Sequence, residues 1–232
     1  MLLLLYVDDI SLAYASSAIK AVDNIKAKLA AKYRITNLGP AGQFLGIEIT
    51  SKSARESARE SARESADSYT VSLGQSAFIA SILKRFCMEN AHGAATPMDV
   101  HVKLDLAEHR KEREADPAEY QAIFGSLMYI ALATRPDISF AVSALSRYSS
   151  RPLASHLTAA KRVLRFLKST AHHRLHFSSE GNSEITGYTD SDWANDCADR
   201  KSQGGHVFIL NNGAISWQSR KQDLVASSTT KV

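Results

Sequence analysis

The chain has 232 residues, 44% of them hydrophobic and 22% charged, a balance that fits one large or two small cored domains and excludes a disordered or collagen-like chain. Its net charge of +4 and pI near 9.0 permit nucleic-acid binding without demanding it. The two cysteines, Cys87 and Cys197, are far apart, which excludes a disulfide scaffold and points to a reducing, intracellular setting rather than secretion.

The first predicted element is an apolar run, Leu2-Leu3-Leu4-Leu5-Tyr6-Val7, that ends in Asp8-Asp9 and resumes at Ile10. It predicts a buried strand, a tight turn and a strand running back, because Asp bonds its local backbone in turns. No basic residues precede the run, it is short, and the carboxylates interrupt it, so it does not fit a signal peptide. No stretch is long enough to span a membrane. Two neighbouring carboxylates repel each other unless a cation sits between them. Mg2+ takes such oxygen ligands together with substrate phosphates, and paired metals clamp both oxygens in nucleotidyl transfer. A bare Asp-Asp pair reads as a surface turn; the four leucines and Tyr-Val before this one favour a metal-site origin.

Ser16 and Ser17 are candidate caps for a helix in which Ala18, Ile19, Val22, Ile25, Leu29 and Tyr33 recur at helical spacing, with Lys20, Lys26, Lys28 and Lys32 outward. Asn37-Leu38-Gly39-Pro40 stops it. Phe44-Leu45-Gly46-Ile47-Glu48-Ile49 predicts one strand carrying a glycine. From Ser53 the tetrapeptide Ser-Ala-Arg-Glu occurs three times through Glu64. This tract has no apolar face beyond alanine, so it predicts a solvated, fraying helix or disorder inserted in a loop. Tyr69 to Leu73 predicts a returning strand. Gln75 to Phe86 predicts an amphipathic helix with Phe78, Ile79, Ile82, Leu83 and Phe86 inward.

A charged stretch over 99–115 predicts a mobile linker. Asp116-Pro117-Ala118-Glu119 has the form of a capping box. The helix it opens carries Tyr120, Ile123, Phe124, Leu127 and Ile130 and stops before Arg135-Pro136. A second helix starts at Pro136 with Ile138, Val142, Leu145 and Tyr148. A third follows Pro152 and buries Ala160, Val163, Leu164 and Leu167. On it, Lys161, Arg165 and Lys168 share a stripe with Arg162 beside it, which fits either a track for phosphates or a solvated helix face. The last module is β-rich. Ile185 to Trp193 alternates, placing Asp190 and Asp192 on one side, and Val207 to Trp217 predicts a hairpin closing at Asn211-Asn212-Gly213.

Tyr6-Val7-Asp8-Asp9 resembles the YxDD motif of reverse transcriptases, in the YVDD form of copia-type LTR retrotransposon Pol polyproteins. The likeness continues along nearly the whole chain. Phe44 to Ile49 is similar to the family's FLGIEI segment, Gly125 to Tyr129 to its GxLxY signature, Thr134 to Ile138 to TRPDI, and Lys161 to Lys168 to KRVLRYLK. The stretch from Gly187 resembles the opening of the copia-type ribonuclease H domain through its YTDxDWA, DRKSxxG and GGAISW segments. The resemblance implies RNA-directed DNA polymerisation with RNA removal. The fold it implies is α+β: a partial palm and thumb, a helical connection and an incomplete ribonuclease H-like sheet. It places a palm remnant at 1–50, the repeat insertion at 51–67, a thumb-side segment at 68–98, the linker at 99–115, connection helices at 116–178 and a truncated ribonuclease H-like module at 184–232.

By the same resemblance Asp8 and Asp9 hold Mg2+ at the primer 3' end, and Asp190 is the first metal-binding carboxylate of the ribonuclease H, with Asp192 supporting structure. Leu45, Gly46 and Ile47 either line the primer or form an ordinary hairpin strand. The partner the resemblance implies is an RNA/DNA primer-template, for which the stripe Lys161, Arg162, Arg165 and Lys168 offers candidate contacts. The match departs from the family at both ends. A further polymerase Asp and the fingers precede YxDD in the family, and Glu-Ala-Glu-Tyr follows Ser-Ser-Thr, where this sequence has Thr230-Lys231-Val232. The expectation is a truncated remnant, inactive alone, with weak or absent Mg2+ binding. The alternatives are a non-enzymatic nucleic-acid-binding remnant that uses the basic helix, or a pseudogene product.

Overall fold

The computed structural model describes residues 1–53, 69–99, 104, 112–192 and 200–225. The repeat tract, all of the charged linker between 100 and 111 except Leu104, Trp193, Cys197 and the Ser-Ser-Thr segment lie outside the described residues. The chain divides into two compact units, 1–49 and 50–232.

In the first unit β1 (Leu2–Tyr6) and β2 (Asp9–Ala13) pair antiparallel, with Leu5 opposite Ile10 and Tyr6 opposite Asp9. The strand forms where the sequence predicts it, but it is not buried: Leu2 to Leu5 are each more than half exposed, at 76, 51, 55 and 61%. Successive side chains of a strand point to opposite faces, so this two-stranded ribbon carries leucine on both. A 3-10 turn (Ser16–Ala18) leads into α1 (Ile19–Lys32). The predicted serine caps do not begin the helix: Ala18 occupies the cap position, with no side-chain cap. Val22 is fully buried, Ile25 and Leu29 are half-buried, and Ile19 and Tyr33 are exposed.

The predicted single strand over Phe44 to Ile49 is a hairpin instead. β3 (Gln43–Phe44) pairs with β4 (Ile47–Ser53) through Phe44 opposite Ile47. Leu45 and Gly46 form its two-residue turn, at φ +51° and +74°. A primed turn of this kind matches the strands' twist but needs left-handed backbone at both positions. Gly46 adopts it freely, and Leu45 does so at a cost of roughly 1–2 kcal/mol.

In the second unit the Thr50–Ser53 end of β4 lies in a sheet ordered β4-β5-β6, where β5 (Tyr69–Gly74) and β6 (Leu175–Ser178) pair antiparallel with Val71 opposite Phe177. The helices are α2 (Ser76–Arg85), α3 (Pro117–Ala133), α4 (Ser139–Ser146) and α5 (Ala154–Ser169). Their apolar stripes meet in one core: Ile79 and Ile82 of α2, Ile123, Leu127 and Ile130 of α3, Leu145 of α4, and Val163, Leu164 and Leu167 of α5. Each fully buried side chain of this size contributes about 1.5–3 kcal/mol.

Asp116 caps α3, its carboxylate accepting from the Ala118 N–H at 2.9 Å. The other half of the predicted capping box is diverted: Glu119 forms an ion pair with Lys161 at 2.8 Å. A 3-10 turn, Pro136–Ile138, precedes α4.

A third sheet holds β7 (Thr186–Asp192), β8 (Gln203–Leu210) and β9 (Gly213–Lys221) in that order, all antiparallel. Its β8–β9 turn is Asn211-Asn212, at φ +50° and +65°. Ile215 is an extra, bulged residue, since Phe208 opposes Ser216 while Ile209 opposes Ala214. One face of this sheet lies on the helices. The Trp217 indole N–H donates to the Ala131 carbonyl at 2.7 Å, and Gln203 Nε2 donates to Ser143 Oγ at 3.2 Å.

Candidate functional site

The Tyr6↔Asp9 pairing leaves Val7 and Asp8 as a two-residue turn. Val7 sits at φ +49°. A β-branched residue in the left-handed region is a genuine outlier, strained by about 1–2 kcal/mol. The turn presents Asp8 and Asp9 to solvent, both exposed. Two adjacent carboxylates match the oxygen donors Mg2+ takes. A two-metal clamp needs several carboxylates from separate strands. Among the described residues no group of three or more His, Cys, Asp or Glu is placed to hold a metal ion. Among those residues the pair therefore fits part of a magnesium cage.

Asp190 lies on β7 opposite Gly205 and is exposed; its Oδ1 accepts from the Ser191 N–H at 2.9 Å. Strand alternation puts Asp192 on the same face, next to Gln203 across the ladder. That face carries Ser219 and Trp217, so it is the side of the sheet that meets the helices. Thus Asp8 joins Asp9 by a turn and Asp190 joins Asp192 by alternation, and among the described residues no third acidic group joins either pair. Leu45 and Gly46 form the β3–β4 turn, with Ile47 at the start of β4.

The basic stripe of α5 points at its own chain. Lys161 pairs with Glu119. Arg162 donates to Thr96 Oγ1 at 3.0 Å and lies 3.5 Å from Asp99. Arg165 Nε donates to the His92 carbonyl at 2.6 Å, and Lys168 Nζ to the Ala91 carbonyl at 2.9 Å. Three of the four cations thus strap segment 91–99 onto α5, and the fourth ties α3 to it. Gly93 lets the strap lie this close, because a Cβ there would run into Ser169 Oγ.

The sequence marks Thr134-Arg135-Pro136-Asp137 as a helix boundary and, by resemblance, as the TRPDI signature, and the structure makes it a polar hub. Arg135 is only 2% exposed. It forms a two-pronged pair with Asp137, from Nε at 2.9 Å and Nη2 at 2.7 Å. Its Nη1 donates to the Thr170 carbonyl at 2.9 Å, at the C-terminal cap of α5. Thr134 Oγ1 donates to Gln75 Oε1 at 2.8 Å, which ties in the start of α2. A buried guanidinium is stable only when its donors are met in this way. The legible signal was an Arg two residues before an Asp across a proline-started turn. His156, fully buried, is a second such lock: Nδ1 accepts from the Leu153 N–H and Nε2 donates to the Leu104 carbonyl, both at 3.0 Å.

The family model for reverse transcriptase (RNA-dependent DNA polymerase) matches residues 1–100. Along its whole length the chain is 37% identical to a retrovirus-related Pol polyprotein from transposon TNT 1-94 of Nicotiana tabacum, of which it spans 16%. It is 34% identical over 99% of its length to the Pol polyprotein from transposon RE1 of Arabidopsis thaliana, of which it spans 14%. It is also 29% identical to the uncharacterized mitochondrial protein AtMg00810 of Arabidopsis thaliana, spanning 88% of that protein. No solved structure matches the chain. No helix among the described residues is long and apolar enough to cross a membrane.

Proposed function

This chain belongs to the Pol polyprotein family of copia-type retrotransposons, and from that premise we propose that it carries the YVDD end of a reverse transcriptase, with connecting helices and the first strands of a ribonuclease H-like module. The observation that supports this best is the two-residue hairpin turn that sets Asp8 and Asp9 side by side in solvent. In this reading Asp8 and Asp9 are Mg2+ ligands at the primer 3' end once further oxygen donors complete the cage. Asp190 has the same part at the RNA scissile phosphate. The Leu45-Gly46 turn lies along the primer, the partner is an RNA/DNA primer-template, and the protein acts inside the cell. Residues 1–232 by themselves neither polymerise nor cut RNA, because a carboxylate couplet at one site and a single carboxylate at the other are too few to position paired metals.

The test is a chimera in which residues 1–232 replace the matching stretch of the tobacco Pol polyprotein. Mg2+-dependent primer extension should persist in the chimera and fall to background on Asp8→Asn. Extension indifferent to Asp8→Asn overturns the assignment of the carboxylates. Extension by residues 1–232 alone, abolished by Asp8→Asn, overturns the statement that they do not act by themselves.

A non-enzymatic nucleic-acid-binding role through α5 is the second reading, and the internal partners of Arg162 and Arg165 weigh against it.

A further inference from the structure

We propose that the surface of this protein that meets a nucleic-acid backbone is the lysine ridge of α1 rather than the basic stripe of α5. Lys20, Asn24, Lys28 and Lys32 follow one another at four-residue spacing, so they form a single ridge along the helix. All four are exposed. At a rise of 1.5 Å per residue the ridge is about 18 Å long. From Ile19 to Arg34 there are five cations, Lys20, Lys26, Lys28, Lys32 and Arg34, against one carboxylate, Asp23.

What separates this helix from α5 is that its charges are uncommitted. Among the described residues none of the four lysines makes a hydrogen bond or an ion pair, and Lys32 only lies over the Tyr33 ring at 5.3 Å. Every cation of the α5 stripe is held by its own chain. Fixed cations without an internal partner are the groups that release counterions from a phosphate backbone. Ala27 and Ala31, both exposed beside the ridge, add no bulk to keep a strand away.

An anionic lipid surface would also attract lysines. A helix that lies in a membrane interface needs its apolar face free to enter it, whereas Val22 on the inward side of α1 is 0% exposed, with Ile25 and Leu29 half-buried beside it. The ridge therefore meets its partner through charge alone. A duplex strand offers a phosphate every 3.4 Å of axis, so about five phosphates pass along such a ridge. The contact is sequence-independent. It rests on the family reading only for the choice of nucleic acid over another polyanion.

The experiment is fluorescence anisotropy of the full 232-residue protein with a labelled RNA–DNA hybrid duplex in 50 to 300 mM KCl. Binding should weaken steeply with salt. Lys20→Gln, Lys28→Gln and Lys32→Gln combined should weaken it at least tenfold at 50 mM and flatten the log–log salt slope by about 2.7. The matching triple Lys→Arg variant should bind as the parent does. Arg162→Gln with Arg165→Gln should leave the slope unchanged and lower the melting temperature. The proposal is overturned if the Lys→Gln triple binds normally, if only the α5 variant loses binding, if nothing binds at 50 mM, or if phosphatidylserine vesicles bind in place of the duplex. Each of those results leaves the Asp8→Asn chimera free to succeed or fail by itself.

Discussion

The β8–β9 hairpin turns on Asn211 and Asn212 at φ +50° and +65°, while the β1–β2 hairpin turns on Val7 at φ +49°. Asparagine visits left-handed backbone readily; valine does not. The strands differ as well. β9 seats Trp217 on the helices, whereas the four leucines of β1 are in solvent. Strands buried on both faces read as continuous apolar runs, and an isolated two-stranded hairpin is marginal in water. β8–β9 thus has chemistry matched to its surroundings. β1–β2 has the chemistry of an inner strand, with a strained turn where the candidate carboxylates sit. Local misfit of this kind gathers at functional sites.

The sharpest way to break that contrast is to shave an equal volume from each side of it. Leu164 is 0% exposed in the α2–α5 core and Leu4 is 55% exposed in β1. Leu164→Ala should cost about 2–5 kcal/mol in urea unfolding, since it loses burial and leaves a cavity. Leu4→Ala should change stability by less than about 0.5 kcal/mol. Equal losses would show that the hairpin is packed as firmly as the helical core.

A smaller effect tests the core through a buried tyrosine. Tyr120 is buried, and its hydroxyl donates to the Leu145 carbonyl at 2.8 Å. Burial, and secondly the neighbouring Tyr148, push its ionisation well above the ordinary tyrosine range. The unfolded chain loses this proton near pH 10 and the folded chain resists. The stabilisation is therefore whole below about pH 10 and declines by up to 1.4 kcal/mol per pH unit above it. Tyr120→Phe should cost about 1 kcal/mol at pH 7 by removing the hydrogen bond and should flatten the alkaline slope. Urea midpoints from pH 7 to 11 read both effects. An unchanged slope would show that Tyr120 does not carry the alkaline loss.

Helical periodicity was legible because each stripe has one face to bury: Ile79 and Ile82, Ile123 and Leu127, and Val163 and Leu164 all go inward where spacing puts them. The Asn-Asn-Gly hairpin was legible because its turn needs the residues it has. The Leu45-Gly46 turn was hidden, because leucine argues for strand and only the glycine for a turn. The burial of β1 was misread because apolar content says what a strand could bury against, not what lies beside it. The charges of α1 and α5 look alike in sequence. Only coordinates show that Arg165 and Lys168 are spent on backbone carbonyls while Lys20 and Lys28 are free among the described residues. The carboxylate couplet was legible from spacing and resemblance, and its strained turn was not, because nothing in Tyr-Val-Asp-Asp announces φ at Val7.

That strain gives the smallest effect and the closest probe of the hairpin contrast. Val7→Gly relieves left-handed backbone worth roughly 1–2 kcal/mol, offset by about 0.5–1 kcal/mol of extra chain entropy in the unfolded state. The net should be a gain of about 0–1.5 kcal/mol, seen as slower amide exchange at Leu5 and Ile10 beside the turn. Asn212→Val runs the change in reverse and should lose about 1–2 kcal/mol. If Val7→Gly leaves exchange unchanged while Asn212→Val destabilises β8–β9, the β1–β2 turn stores no strain. The orientation of Asp8 and Asp9 would then follow from strand register alone. If both variants behave as stated, the backbone at Val7 is held against its preference, and the direction in which the two carboxylates point is set by that constraint.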